Sequence, residues 1–344
     1  MGNDSTQLSP SGDGIRRPAV LSEERGTLLT SYRGHRAGDA ARLAELTTVA
    51  MPRDAISADW FTHTVLLDPN FDPDGLIVAE TDSGEPVGFV YAVRAGKGVG
   101  PDPEGGWITV GCVHPDHRRQ GIGSELLRRA KSFLLGKGAA WVNFAAYPLA
   151  YFVPGLDAAA YPAAAQLFER DGFRRLYTAA AMSIDLAEYE TPQRVRELRS
   201  ARIAEGYSFA VAGADDLPET LAFASQRLAP DWGEAVRDSV MQHGRIDRVL
   251  VARHPDGHVV GFATYGAYRG LRERFGPYGV DESCRGTGLG KVLLHDTLTR
   301  MRAEGAQSAW FLWTGEESPA GHLYLRSGFH ITRRFDVLHH DLTD

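Results

Sequence analysis

An internal repeat constrains this chain more than any other feature of its sequence. The strand–turn–strand segment LIVAETDSGEPVGFVYA, which begins at Leu76, recurs as VLVARHPDGHVVGFATY from Val249. Two further stretches recur in the same order, HRRQGIGSELL (117–127) as CRGTGLGKVLL (284–294) and AAQLFERDGF (164–173) as AGHLYLRSGF (320–329). Chance similarity of turns and strands does not preserve such an order. The repeat therefore predicts two homologous domains.

The repeat also sets the predicted domain limits. The first domain covers residues 26–190, the second covers 207–344, and the charged, helix-prone segment 191–206 links them. Residues 1–25 are rich in Gly, Ser, Pro and Asp, which predicts a disordered tail. Only the first copy contains the insertion YPLAYFVPGLDAAAYP (147–162). Its aromatic content is too high for a loop without a structural or functional role.

Each copy is predicted to be an α+β domain. The periodicity of the second copy gives one strand, two helices, three strands, and then a helix, a strand, a helix and a strand. This order predicts a mixed sheet with helices on both faces. The predicted strands are 207–212, 248–254, 258–265, 276–281, 308–314 and 333–342, and the predicted helices are 215–229, 234–244, 290–305 and 319–328.

Composition narrows the function classes. The formal net charge is −7 and the pI is near 6.0, so the chain has no bulk electrostatic reason to bind nucleic acid or an anionic membrane. Two cysteines indicate no disulfide framework and favour a reducing, cytoplasmic location. The N-terminus lacks the apolar core of a signal peptide, and no apolar run reaches the roughly 18 residues of a membrane span.

The glycine-rich stretches raise the question of a phosphate site. A Walker A loop fails in CRGTGLGKVLL because Arg285 stands where its first glycine should be and Val292 follows Lys291. The dinucleotide fingerprint fails because Lys291 replaces its last glycine. What remains in both copies is R-x-x-G-x-G before a helix, which is either a tight turn or an anion cradle of backbone N–H groups.

These residues resemble a known family. VHPDHRRQGIGSELL (113–127) resembles the acetyl-CoA motif of the GCN5-related N-acetyltransferase (GNAT) superfamily, and AGHLYLRSGF (320–329) resembles its A-x-x-L-Y-x-x-x-G-F motif. The resemblance covers nearly all of residues 26–344 as two tandem copies, similar to the mycothiol-synthase arrangement. It implies two GNAT domains, each with a mostly antiparallel sheet and a splayed central strand pair. It also implies acetyl-CoA as co-substrate, up to one per domain, and no metal.

The resemblance assigns the cofactor-binding positions. In the family the R-x-x-G-x-G turn wraps the pyrophosphate of acetyl-CoA, and the preceding strand pairs with the pantetheine arm. The matching positions are Cys112, Val113, Arg118, Arg119, Gln120, Gly121, Ile122, Gly123 and Ser124 in the first copy, and Val280, Arg285, Gly286, Thr287, Gly288, Leu289, Gly290 and Lys291 in the second.

The resemblance also implies the catalytic residues. The tyrosine of the L-Y-x-x-x-G-F motif, Tyr324, would protonate the leaving thiolate. A base must deprotonate the acceptor amine, and Glu282 ranks first among the acidic residues Asp281, Glu282, Glu316 and Glu317. The first copy has Phe168 at the tyrosine position. Its domain therefore binds CoA without turnover, or Tyr151 or Tyr161 of the insertion serves instead. The second domain is the better candidate for catalysis.

These expectations leave alternatives open. The leading function is an acetyl-CoA-dependent N-acetyltransferase of secondary metabolism acting on a small-molecule amine, as a monomer or homodimer. The alternatives are another acyl-CoA, an amino-sugar thiol acceptor like the mycothiol precursor, or a CoA-binding regulator without turnover. Cys112, His114 and His117 have spacings that could ligate a metal, but no metal is expected because they coincide with implied CoA positions. Four aromatic residues could line an acceptor pocket or pack in the core: Tyr265, Tyr268, Trp310 and Trp313.

Overall fold

The first half of the chain has the order of strands and helices that the repeat predicts. The computed structural model describes residues 1–2, 30–94, 96 and 103–343, so the predicted tail lies almost wholly outside the described residues. The elements in order are β1 (Ser31–Arg33), α1 (Asp39–Ala50), α2 (Ala58–Phe61), β2 (Leu76–Glu80), β3 (Pro86–Val93), β4 (Gly105–Val113), α3 (Ile122–Gly136), β5 (Trp141–Phe144), α4 (Pro162–Arg170) and β6 (Arg174–Asp185).

The second half repeats this order after a linking helix. Its elements are α5 (Gln193–Ala204), β7 (Ser208–Val211), α6 (Leu217–Phe223), α7 (Pro230–His243), β8 (Val249–Arg253), β9 (Val259–Tyr265), β10 (Phe275–Val280), α8 (Leu289–Ala303), β11 (Ser308–Gly315), α9 (Pro319–Arg326) and β12 (His330–Asp341). All ten elements predicted for residues 207–344 are present. Helix α7 begins earlier than predicted, at Pro230, because proline suits the first turn of a helix. Strand β11 is half-buried.

The two halves exchange their last strands. Strand β12, from the second half, lies between β5 and β6 of the first half. Strand β6, the last strand of the first half, pairs in turn with β11 of the second. The result is an eight-stranded sheet (β1-β2-β3-β4-β5-β12-β6-β11) beside a four-stranded sheet (β10-β9-β8-β7). The last strand of each half therefore pairs with a strand of the other half, although the repeat implied that each half forms its own sheet.

The splayed strand pair is confirmed in both halves. Strand β4 runs parallel to β5 only from Gly105 to Ile108, and its remaining residues up to Val113 have no partner on that side. In the second half a single bridge joins Arg274 to Trp310, after which β10 and β11 separate. All other strand pairs of the two sheets are antiparallel, so each sheet is mostly antiparallel, as predicted.

Apolar helix faces bury the sheet on both sides. Helix α3 turns Ile122, Leu126, Ala130 and Leu134 to the core, a spacing that places them on one face. Helix α8 does the same in the second half, and α1 and α6 cover the opposite sheet faces. Among the described residues, no helix is long and apolar enough to span a bilayer.

The insertion joins the two halves. Leu156 forms a two-residue bridge with Asp336 of β12, with both N–H···O distances 2.8 Å. Beside it the Arg333 guanidinium of β12 donates to the buried carboxylates of Asp54 (2.6 and 3.0 Å) and Asp157 (2.8 Å). These charge-assisted hydrogen bonds hold the exchanged strand against the first half.

Candidate active site

The glycine-rich turns of the two halves share one backbone shape. Gly121 and Gly288 immediately precede α3 and α8, and both have φ of 85°. Two positions earlier, Arg119 and Gly286 also have positive φ, 63° and 82°. Glycine enters this left-handed region freely, whereas a side chain there costs energy. The first half adopts the same turn even though Arg119 replaces one glycine.

This shape makes both turns fit a diphosphate. The first N–H groups of α3 and α8 have no acceptor within their helices and carry partial positive charge. A Cβ on Gly121 or Gly286 would meet no atom within 4 Å, so the space beside each of these glycines is open. Phosphate groups bind such helix N-termini. The backbone geometry of both turns is therefore compatible with CoA binding, and the CoA-binding assignments remain predictions.

The predicted CoA-binding side chains differ in exposure. Ile122 and Leu289 are buried and anchor the two helices in the core. Val113 and Val280 are partly buried at the ends of β4 and β10. The exposed residues are Arg118, Arg119, Gln120, Gly121, Ser124, Arg285 and Gly286, and the half-buried ones are Cys112, Gly123, Thr287, Gly288, Gly290 and Lys291.

The two arginines that begin the motif have different partners. Arg118 donates to the backbone carbonyls of Val113 (3.1 Å) and Ala50 (2.9 Å), so it ties the first turn to β4 and α1. Arg285 instead pairs with Glu282, and both side chains are exposed. Arg118 is therefore a structural brace as well as a predicted CoA residue, whereas Arg285 projects into solvent.

The predicted general base receives no support from this geometry. The Glu282 side chain is 79% exposed and its partner is Arg285 of the same turn. The neighbouring Asp281 is buried, but it accepts hydrogen bonds from Ser283 and Arg227. These bonds, first those from Ser283, hold the pKa of Asp281 below its usual range. The base role of Glu282 remains an untested prediction.

Tyr324 and Phe168 sit in two matched aromatic clusters. The Tyr324 ring lies 4.5 Å from the Phe311 ring at an interplanar angle of 46°, and the Phe168 ring lies 4.5 Å from Phe144 at the same angle. Tyr324 and Phe168 are each 7% exposed. Phe144, Phe168 and Phe173 of the first cluster match Phe311, Tyr324 and Phe329 of the second, which also contains Phe275 and Tyr278. The hydroxyl group distinguishes the Tyr324 ring from the Phe168 ring.

The Tyr324 hydroxyl lies in an apolar setting. Burial, and then the neighbouring Tyr278, raises the pKa of Tyr324 well above its usual range. The phenol therefore keeps its proton at neutral pH. Tyr278 projects from β10 to the start of α8, where a Cβ on Gly290 would lie 2.6 Å from the Tyr278 hydroxyl oxygen. Only glycine fits at position 290 with Tyr278 in this place.

A buried arginine lies where β10 and β11 separate (the split), on the face of the sheet opposite Tyr324. Phe275 and Phe311 face Tyr324, so their neighbours Arg274 and Trp310 point to the other side of the sheet. The Arg274 guanidinium lies 4.2 Å from the Tyr268 ring and 5.6 Å from the Trp310 ring. Arg274 also donates to the hydroxyl of Tyr151, 2.9 Å away, which belongs to the insertion of the first half.

In the first half, an aromatic side chain occupies the position that corresponds to Arg274. Counting back from the matched Val113 and Val280, Trp107 stands where Arg274 stands in the second half. Trp107 is 2% exposed, and its ring lies 5.4 Å from both Trp141 and Tyr147. In the first half, aromatic side chains therefore fill this position on the face of the sheet opposite α3 and α4.

Comparison with known proteins decides the family. The model of the acetyltransferase (GNAT) family matches twice, at residues 41–150 and 218–329. The chain belongs to the GNAT acetyltransferase family. It is therefore an acetyltransferase, as the sequence predicted, and acetyl-CoA is the co-substrate that a GNAT fold implies.

This GNAT protein is similar to several known proteins over most of their length. It is 28% identical to a mycothiol acetyltransferase of Saccharomonospora viridis over 76% of the chain and 86% of the relative, and 26% identical to one of Clavibacter michiganensis over 83% and 87%. Among solved structures, a Sphaerobacter thermophilus GNAT protein has a TM-score of 0.67 at 17% identity over 91% and 96% of the two chains. A tandem GNAT protein of the clavulanic acid pathway has a TM-score of 0.60 at 17% identity, over 91% and 99%.

Several residues of this GNAT site were missed by sequence reasoning. Asp231 is half-buried at the start of α7, and burial raises the pKa of its carboxyl group. Its charge also raises the pKa of Tyr268, which places it within electrostatic reach of the Arg274 cluster. The two segments that carry these residues, the start of α7 (230–236) and the stretch 268–276, match no familiar motif, so no local signal marked them. Of the four aromatic residues considered for a pocket, Tyr268 and Trp310 surround Arg274, Trp313 packs on Tyr151, and Tyr265 is buried in the core.

The candidate metal ligands of this GNAT chain do not converge. The Cys112 side chain faces Thr47 of α1, and burial raises the pKa of its thiol to about 12. His114 accepts a backbone hydrogen bond from Asp116. Among the described residues, the group whose ligand atoms lie close enough for a metal is His254, Asp256 and His258, at the surface turn between β8 and β9. The expected absence of a metal stays a prediction.

Proposed function

We propose that this GNAT protein transfers an acetyl group from acetyl-CoA to the amine of a small molecule, and that the second half performs the reaction. The matched aromatic clusters carry the proposal, because Tyr324 has the hydroxyl that Phe168 lacks. A phenyl ring cannot give a proton. The two insertion tyrosines considered as substitutes are engaged elsewhere, Tyr161 with Asp54 and Tyr151 with Arg274.

Acetyl-CoA, when bound, supplies the activated acetyl group as a thioester. The turn before α8 holds its diphosphate with backbone N–H groups. The separated edge of β10 offers N–H groups without a strand partner, and one of them can stabilise negative charge on the thioester oxygen. Tyr324, protonated at neutral pH, gives its proton to the sulfur as the C–S bond breaks.

The amine approaches from the opposite side of the split. An amine is protonated at neutral pH, so a base must take a proton before the nitrogen lone pair can form the new C–N bond. Asp231 suits this role better than Glu282, because it is half-buried and its raised pKa makes it a stronger base. Among the described residues, no cation lies within ion-pair distance of Asp231, whereas Glu282 is paired with Arg285.

The first half keeps the CoA turn but has lost two other features. Phe168 removes the proton donor, and Trp107 fills the face from which an acceptor would approach. We therefore infer that the first half binds CoA, or only supports the second half, without turnover. Its insertion still contributes Tyr151 to the second half.

Release of the CoA thiol in the presence of a panel of small amines tests this function. The comparison uses wild type, Tyr324→Phe and the matched control Phe168→Tyr. We expect Tyr324→Phe to lower kcat about 10²- to 10⁴-fold, the usual contribution of a general acid, with little change in KM for acetyl-CoA. Phe168→Tyr leaves kcat unchanged. Full activity of Tyr324→Phe would exclude the assigned donor.

Two other outcomes separate the alternatives. The relatives named mycothiol acetyltransferases make an amino-sugar thiol acceptor the second candidate, so the mycothiol precursor belongs in the panel. Native mass spectrometry of the purified protein would show how many acyl-CoA molecules are bound and which acyl group they carry. Bound acyl-CoA without release to any amine would favour a regulator.

A further inference from the structure

Arg274 is an unusual charge for this part of the fold. The residue is 5% exposed, and its guanidinium donates a hydrogen bond to the neutral hydroxyl of Tyr151. Within the described part of the chain, no carboxylate lies within ion-pair distance of its guanidinium. A buried charge is costly unless a partner neutralises it, and most buried arginines in proteins have such a partner. Arg248, the other buried arginine among the described residues, follows the rule by pairing with Glu304 at 3.0 Å.

Aromatic rings hold the Arg274 guanidinium but do not neutralise it. The rings of Tyr268 (4.2 Å), Tyr151 (5.4 Å) and Trp310 (5.6 Å) surround it. Rings stabilise a cation through their faces and fix its orientation. They leave in-plane N–H donors for another group, and a guanidinium presents these donors as a fork that matches a carboxylate or phosphate.

The position of this cluster relates it to the acceptor. It lies where β10 and β11 begin to separate, on the face opposite Tyr324. The acceptor amine must reach the split from this face, because α8 and α9 cover the other. The charge of Asp231 acts on Tyr268, the ring against which the Arg274 guanidinium packs.

We propose that Arg274 is a specificity residue that binds an anionic group, a carboxylate or a phosphate, carried by the acceptor in addition to its amine. This inference rests on the proposed function, and it narrows the substrate class to amines with an acidic group. In the bound acceptor the ammonium group faces Asp231 before deprotonation, and the anionic group completes the charge balance of Arg274. Such a substrate matches the opposite charges of Asp231 and Arg274.

Pairs of amines that differ in charge test the proposal. The carboxylate arm compares glycine, β-alanine and phenylalanine with their primary amides, and the phosphate arm compares phosphoethanolamine with ethanolamine. For wild type we expect the anionic member of at least one arm to have a ten- to hundredfold higher kcat/KM, the usual strength of a charged hydrogen-bonded pair. Arg274→Gln abolishes this preference through KM, and Arg274→Lys retains part of it.

Controls separate recognition from folding. Arg237→Gln removes an exposed arginine of α7 and keeps the wild-type preference. Tyr151→Phe preserves the ring and loses only the hydroxyl that orients Arg274, so it weakens the preference without abolishing it. Equal kcat/KM for charged and neutral amines in wild type, or an unchanged preference in Arg274→Gln, overturns the proposal.

A binding measurement makes the proposal independent of turnover. Calorimetry in the presence of CoA compares N-acetylglycine, N-acetyl-β-alanine and N-acetylphenylalanine with their amides, and O-phospho-N-acetylethanolamine with N-acetylethanolamine. If no amine is acetylated, the proposed function fails, yet tighter binding of the anionic compounds that is lost in Arg274→Gln still supports the anion site. Binding that does not depend on the acidic group refutes it.

Discussion

Leu198 of the linking helix packs against Gly288 of the second glycine turn. A Cβ on Gly288 would lie 2.7 Å from Cδ2 of Leu198, whereas the matched Gly121 has no atom within 4 Å of the same point. Arg199, the next residue, pairs with Asp296 of α8 at 2.9 Å. Helix α5 therefore runs beside the second turn and supports it. The segment predicted as a linker therefore packs against the second glycine turn and leaves the first one open.

Alanine at the two matched glycines should show which cradle serves turnover. Both residues have φ of 85°, where a Cβ costs about 1–2 kcal/mol. Gly288→Ala should therefore lower kcat/KM for acetyl-CoA about tenfold, and contact with Leu198 adds to the strain. Gly121→Ala should instead reduce only the CoA bound by the first half. Steady-state kinetics and native mass spectrometry measure the two effects. A larger kinetic loss for Gly121→Ala would assign catalysis to the first half.

Asp231 should determine the acid side of the pH–rate profile. Burial raises the pKa of its carboxyl group, so the base form appears only as the pH rises through that value, and kcat/KM should rise with it. Asp231→Asn should lower kcat about 10²- to 10⁴-fold at neutral pH and move the acid limb toward the pKa of the amine itself. Asp238→Asn, an exposed change on the same helix, is the control. An unchanged acid limb in Asp231→Asn would remove the carboxylate from the mechanism.

Local patterns predicted much of the fold but could not predict which strands pair. Hairpins, amphipathic helices and glycine turns have short-range signals, and all of them appear where expected. The exchange of β6 and β12 has no such short-range signal, because either strand could pair with β5 or with β11. Only long-range contacts, such as that of Arg333 with Asp54, select the observed pairing. The acceptor side was missed for the same reason, since Tyr151 and Arg274 meet only in the folded chain. Glu282 was favoured by position alone, without weight on Arg285 three residues away.

The buried ion pairs of Arg333 should contribute strongly to stability. Arg333→Met removes the guanidinium between Asp54 and Asp157, which leaves the Asp54 carboxylate without a cation and Asp157 with only the exposed Arg53, 3.9 Å away. Breaking a buried pair from one side typically costs about 3–5 kcal/mol in the free energy of unfolding. The adjacent Arg334→Met breaks an exposed pair with Glu316 and should cost less than about 1 kcal/mol. Urea unfolding followed by circular dichroism measures both. Similar losses for the two variants would show that the exchanged strand does not depend on this network.

His295 should make the protein less stable in mild acid. Its ring is buried beneath α5 against the Tyr189 hydroxyl, and burial, with Lys291 and Arg194 nearby, lowers its pKa to about 4. The unfolded chain takes up a proton near pH 6.5 and the folded chain does not, so stability is lost as the pH falls from about 6.5 to about 4. The full linkage is about 3 kcal/mol in the free energy of unfolding, of which about 2 kcal/mol is lost by pH 5.

Replacement of His295 by glutamine isolates this contribution. His295→Gln cannot titrate, so the decrease in the free energy of unfolding between pH 7.5 and pH 5 should shrink by about 2 kcal/mol relative to wild type. The stability at pH 7.5 is the internal reference, because the packing cost of the substitution applies at both pH values. His322→Gln changes an exposed histidine and should leave the wild-type slope intact. Parallel pH dependence of wild type and His295→Gln would mean that His295 has the same pKa in the folded and unfolded states, so that burial does not lower it.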